Sequence, residues 1–116
     1  YVRKNLGPYA IGDGLLRCYP NLILKYLSRW ANSRDEGTLW NVAMAFASYG
    51  GNENWREGMK ILTNLATDER RYVWRSVAST LLYLAHRHQE VQDMLRTWLK
   101  DSKRAKVAET VLKYLI

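Results

Sequence analysis

Three pairs of cations recur at one spacing along this chain: Lys25 with Arg29, Arg56 with Lys60, and Arg96 with Lys100. Residues four apart lie on one face of a helix, so each pair could meet a row of acidic groups. A nucleic-acid backbone is such a row. Each Lys or Arg that neutralises a phosphate releases counterions, so binding of this kind weakens steeply with salt and positions a duplex without reading its sequence. Trp55 adjoins Arg56 and stands near Asn52 and Asn54. Exposed, its ring could stack on a base; covered, it could staple the start of a helix. Glu57, Glu90 and Asp93 fall in the same segments and dilute the positive charge.

Other chemistry finds little support. His86 and His88 are two residues apart, so on a helix they point in different directions, and beyond Glu90 no second ligand cluster completes a metal site. Cys18 is the only cysteine; it has no neighbouring His and reads as a helix-end residue packed between units. Gly7, Gly12 and Gly14 follow no strand, so they form neither a phosphate loop nor a dinucleotide fingerprint. The sequence therefore offers no catalytic residues, no metal ligands and no cofactor.

The elements that carry these residues repeat. Asn5-Leu6-Gly7, Asn41-Val42-Ala43 and Ser76-Val77-Ala78 echo one another, and Thr110-Val111-Leu112 begins a further copy. Leu27-Ser28-Arg29-Trp30-Ala31 returns as Leu95-Arg96-Thr97-Trp98-Leu99, and more faintly as Leu62-Thr63-Asn64-Leu65-Ala66. A period of about 35 residues built from helical patterns is the signature of an α-solenoid. The spacing predicts helices over 8–18, 20–32, 36–49, 54–66, 69–86 and 88–100, with a closing helix after Asp101 or Ser102. Pro8 and Pro20 suit first turns, Gly50-Gly51-Asn52 reads as a stop, and Asp68 reads as an N-cap. The expectation is an all-α fold of six or seven helices in stacked antiparallel pairs. The cation pairs would fall on the second helix of each pair and line up as a stripe. Further basic clusters stand at Arg70-Arg71-Arg75 and Lys103-Arg104-Lys106.

Composition agrees with one globular domain over 1–116: 47% hydrophobic and 25% charged residues, ordinary values for a folded chain. The single cysteine points to a reducing, cytoplasmic setting, and no apolar run is long enough to suggest a membrane. The chain starts at Tyr1 and ends on Leu112, Tyr114, Leu115 and Ile116, as a fragment of a longer solenoid would. A net charge of +7 favours an anionic partner.

Particular residues also resemble a family. Leu6-Gly7-Pro8, Gly12-Asp13, Tyr19-Pro20, Arg29-Trp30-Ala31 and Leu39-Trp40-Asn41-Val42-Ala43 are similar to the C-terminal part of the HEAT-like repeat alkylpurine DNA glycosylases, and Val73-Trp74-Arg75-Ser76-Val77-Ala78 continues the likeness. The resemblance implies a HEAT-like α-solenoid with affinity for DNA. It does not imply the family's reaction: the position of the catalytic Asp holds Lys4, the DNA-contacting Arg falls on Asn41, and a Trp falls on Ser79. A lysine cannot stabilise the cationic sugar that develops as a glycosidic bond breaks, whereas a carboxylate can.

The expectation is thus a non-catalytic binding module. Lys25, Arg29, Lys60, Arg96 and Lys100 would hold phosphates, with Trp55 and Arg56 at the edge, and DNA would be a better partner than RNA. The alternative is a scaffold whose basic surface meets an acidic protein, anchored by exposed aromatics. A residual base-excision enzyme would need an acid in a cleft, for which Asp13 and Asp35 are the residues to inspect.

Overall fold

The computed structural model describes residues 10–115, and within them the chain forms eight helices and no strand. They are α1 (Ala10–Leu16), α2 (Pro20–Trp30), α3 (Glu36–Ala45), α4 (Tyr49–Glu53), α5 (Trp55–Leu65), α6 (Arg71–Ala85), α7 (Gln89–Trp98) and α8 (Ala105–Tyr114). The all-α reading holds. Lys4, Pro8 and the motif Leu6-Gly7-Pro8 lie outside the described residues.

Helix α3 packs beside α6, and α6 beside α8, while α1 packs on α2, α3 and α4. Helices α5 and α7 both pack on α6, and α2 packs on α3. Sequence explains which faces meet. In α5 the buried residues Met59, Leu62 and Leu65 recur at helical spacing, as do Val91, Leu95 and Trp98 in α7. Helix α3 buries Thr38, Leu39, Val42, Ala43 and Ala45, a wider arc that fits a helix covered on several sides. Phe46, fully buried, lies under Gly58; a Cβ there would come within 2.6 Å of the ring.

Several hydrogen bonds join residues 36 or 37 apart. Asp13 Oδ1 accepts from the Tyr49 amide at 2.9 Å, 36 residues away. Arg70 Nη1 donates to the Arg34 carbonyl across the same separation, and the Thr80 hydroxyl donates to the Ala43 carbonyl across 37. His88 Nε2 bonds Asn52 Oδ1 at 2.7 Å, again 36 apart.

Several predicted boundaries change, for identifiable reasons. The segment 36–49 is not one helix. The Ser48 hydroxyl donates to the Ala45 carbonyl and accepts from the Gly51 amide, closing α3 and opening α4 in one step. Gly50 and Gly51 therefore stand inside a helix instead of ending one. Gly50 is required by contact: a Cβ would overlap the Gly12 carbonyl of α1. Helix α1 is wound as a π-helix, which no sequence signal foretold.

Asp68 does not cap α6, which starts at Arg71 after Arg70. Its carboxylate holds Arg70, accepting from the guanidinium at 2.7 and 3.0 Å. Neither Asp101 nor Ser102 caps α8, which starts after Arg104. Asp101 holds Arg104 at 2.5 Å, and Arg104 Nε donates to the Thr63 carbonyl in the last turn of α5. Each loop thus uses an Asp to aim an Arg at the preceding unit. The Arg70 and Arg104 guanidinium groups hold their carboxylates below the usual range, chiefly through these side-chain hydrogen bonds. Cys18, expected between units, is exposed.

The Arg104 tie gives a direct expectation. Arg104→Met leaves the stem but strips the Thr63 carbonyl and Asp101 of their donor, and hydrogen bonds to charged groups contribute roughly 1.5–3 kcal/mol. Urea unfolding of the variant should show a loss of about that size; a loss under about 0.5 kcal/mol, the range of an unremarkable surface change, would show that the tie carries no weight.

Candidate nucleic-acid interface

The seven sequence-predicted residues divide among three helices. Lys25 and Arg29 stand exposed on α2, where Arg29 lies over the Tyr26 ring at 5.9 Å. Arg56 and Lys60 line the groove between α5 and α7, opposite Glu90 and Met94. There the dilution anticipated from sequence becomes pairing. Arg56 meets Glu90 at 3.5 Å, Lys60 meets Glu57 at 3.2 Å, and Arg96 meets Asp93 at 3.1 Å. These side chains are well exposed, so the pairs add little stability, but each sets an acid beside a proposed phosphate contact. Lys100 lies just beyond the end of α7.

Trp55 is half-buried and engaged. Its ring stacks on His88 at 4.4 Å and carries the Arg56 guanidinium at 4.7 Å. Its first role is therefore to join the start of α5 to the start of α7. Among the other tryptophans, Trp98 is buried and Trp30 packs against the core, as their equivalent repeat positions predict.

A second basic surface is better formed. Arg71, Arg75 and Ser79 recur every four residues along α6 and make one ridge. A groove of about 620 Å³ runs on the α3 side, lined by Trp40, Met44 and Tyr72. A groove of about 450 Å³ runs on the α8 side, lined by Trp74, Leu82, Thr110 and Tyr114. The ridge residues Arg71, Arg75 and Ser79 border both. Among the described residues, no carboxylate forms an ion pair with Arg71 or Arg75. Tyr72 stacks on Trp40 with ring centres 6.0 Å apart, and Tyr72 and Tyr114 are both largely exposed. Lys106 sits over the Trp74 ring at 4.5 Å and adds a third cation beside the grooves.

Sequence reading noted Arg71 and Arg75 as a cluster but left them out of the site. The signal was available: they are four apart, like the three chosen pairs, and α6 holds no acid between Arg71 and Ala85.

The acids considered for catalysis are occupied. Asp13 accepts the Tyr49 amide, and Asp35 caps α3 by accepting the Thr38 amide at 2.9 Å and its hydroxyl at 2.8 Å. Both are exposed. Among the described residues no cluster of His, Cys, Asp and Glu could hold a metal ion, and no helix is long and apolar enough to cross a membrane.

His88 gives the region its pH response. Burial disfavours its charged form most, Glu90 opposes this, and Arg56 and Arg87 reinforce it, so its pKa falls below the ordinary 6.5. The unfolded chain therefore takes up the proton at higher pH than the folded one. The stability held here is full above about pH 6.5 and is lost as pH falls through the folded pKa. Urea midpoints at pH 7.5 and 5.5 should show this decline, and His88→Gln should flatten it; an equal decline in the variant would move the effect elsewhere.

Compared with family models, with curated proteins and with solved structures, the chain gives no match.

Proposed function

We propose that this chain is a non-catalytic, HEAT-like helical module that binds a nucleic-acid backbone, with DNA as the partner. The observation that carries this reading is the α6 ridge. Two arginines that form no ion pair among the described residues stand between two grooves whose walls carry Trp40, Tyr72, Trp74 and Tyr114 beside Met44 and Leu82. Guanidinium groups suit phosphate, since they are always charged and present forked donors. Exposed tyrosine rings beside them suit sugars or bases. Ser79, the position that the glycosylase resemblance matches to a Trp, borders both grooves. The hydrogen bonds that join residues 36 or 37 apart support the repeat architecture behind this reading.

The helix pairs chosen from sequence supply a rival surface on the same molecule. Physical chemistry favours the ridge over the α5 and α7 cations, because Arg56, Lys60 and Arg96 must leave Glu90, Glu57 and Asp93 to meet phosphate, whereas among the described residues Arg71 and Arg75 form no ion pair. A charge already neutralised releases fewer counterions on binding. Lys25 and Arg29 form no ion pair among the described residues either, and the ridge differs from them by the groove on each of its sides.

Fluorescence anisotropy of a labelled 20-base-pair duplex, titrated at several salt concentrations, tests both surfaces. The reading expects binding whose logarithm falls linearly with log salt. Arg71→Ala with Arg75→Ala should weaken it and reduce the slope by about 2, one for each phosphate contact. Lys25→Ala with Arg29→Ala should change it much less. The reverse ranking would move the site to the second-helix cations, and absence of binding at low salt would remove nucleic acid from consideration.

A further inference from the structure

Helices α2, α5 and α7 are equivalent. Their fully buried residues Leu27, Leu62 and Leu95 are 35 and then 33 residues apart. In α7 the residues just before the buried positions Val91 and Leu95 are Glu90 and Met94. Both face α5, lining a groove with Met59 and Thr63. This flank of α7 borders a groove across from the preceding helix, bridged at its end by the Trp55–His88 stack and the Arg56–Glu90 pair.

The same flank of α2 carries Leu22 and Tyr26, just before its buried Ile23 and Leu27, with Tyr19 one turn earlier. These three are 52%, 39% and 59% exposed. Tyr26 stacks on Trp30 with ring centres 5.8 Å apart and lies under the Arg29 guanidinium at 5.9 Å. Beside this apolar row stand Lys25 and Arg29, and α2 contains no acid. Neither cation forms an ion pair among the described residues.

We infer that the α2 flank formed by Tyr19, Leu22 and Tyr26 is a docking site for an acidic amphipathic helix. The α5–α7 seam shows the mode: one helix sets aliphatic residues across from this flank, and an ion pair closes the edge. In that seam α5 brings the cation and α7 brings the acid. At α2 the cations belong to the receiving helix, so the arriving helix must bring carboxylates. Reading such a partner by one apolar face and a charged edge is the helix-in-groove mode. The surface is separate from the α6 ridge, so failure of either leaves the other untouched; Lys25 and Arg29 are shared only with the rival second-helix surface.

The probe is a fluorescent peptide of residues 54–67, linked covalently between positions 57 and 64 to hold it helical. It carries Arg56→Glu and Lys60→Glu, which keep the Met59–Thr63 flank and reverse its edge charge. Titrated with the whole chain, it should bind with a dissociation constant of about tens of micromolar. The same peptide with its native Arg56 and Lys60 should bind at least about 10-fold more weakly, since like charges then meet. Leu22→Glu with Tyr26→Glu in the chain should cost at least about 10-fold, with the helical circular dichroism unchanged because both residues are exposed. Lys25→Glu with Arg29→Glu should invert the preference between the two peptides. No saturable binding, equal affinity for both peptides, or indifference to the Leu22 and Tyr26 changes would each overturn the assignment.

Discussion

A hydroxyl in the core fixes how α3 and α6 lie on each other. Thr80 is fully buried, and its donor must find an acceptor there or incur the desolvation penalty of an unmade hydrogen bond. It finds the Ala43 carbonyl at 2.9 Å, in the last turn of α3, where backbone acceptors are not all used by the helix itself. Sliding α6 by one turn would break this bond and leave the hydroxyl only the carbonyls of its own helix, the kind of acceptor that Thr63 and Thr110 use. Because α6 also carries α5, α7 and α8 on its other sides, this register passes to the rest of the molecule. The ridge of Arg71, Arg75 and Ser79 is set against Trp40 and Met44 by the same contact.

Helices were legible because their apolar residues recur at 3.6-residue spacing. The misread boundaries have a shared cause. Sequence rules assign Asp and Gly by their local habits, to caps and stops. Asp68 and Asp101 instead answer to an arginine close by, and that arginine to a carbonyl one unit back. Gly50 answers to the Gly12 carbonyl. Tertiary contact decides these positions, and a single sequence does not show which partner lies opposite. The π-winding of α1 is of the same kind, with no local residue pattern that demands it.

The basic character of the surface was legible, but how its charges pair and what walls stand beside them was not. Spacing correctly grouped Arg56 with Lys60 on one groove. It could not show that Glu90, one unit further along, crosses that groove to Arg56, or that Trp55 lies flat against His88. The opposite bias affected α6: Arg71 and Arg75 were read as extra charge, because Tyr72 and Trp74 stand beside them on α6 but the facing walls, Trp40 and Tyr114, come from α3 and α8. A surface assembled from three helices leaves only fragments in any one of them.

The row α3, α6 and α8 and the α5–α7 seam differ in what joins them, and this has a mechanical consequence. Along α3, α6 and α8 the neighbours share a buried apolar core. Between α5 and α7 the seam is a groove of about 310 Å³, closed at one end by a ring stack and an exposed ion pair. Dispersion and hydrophobic contact resist separation over their whole area, whereas an exposed ion pair yields at small cost. A load that parts α5 from α7 would therefore meet less resistance than one that parts α3 from α6 or α6 from α8.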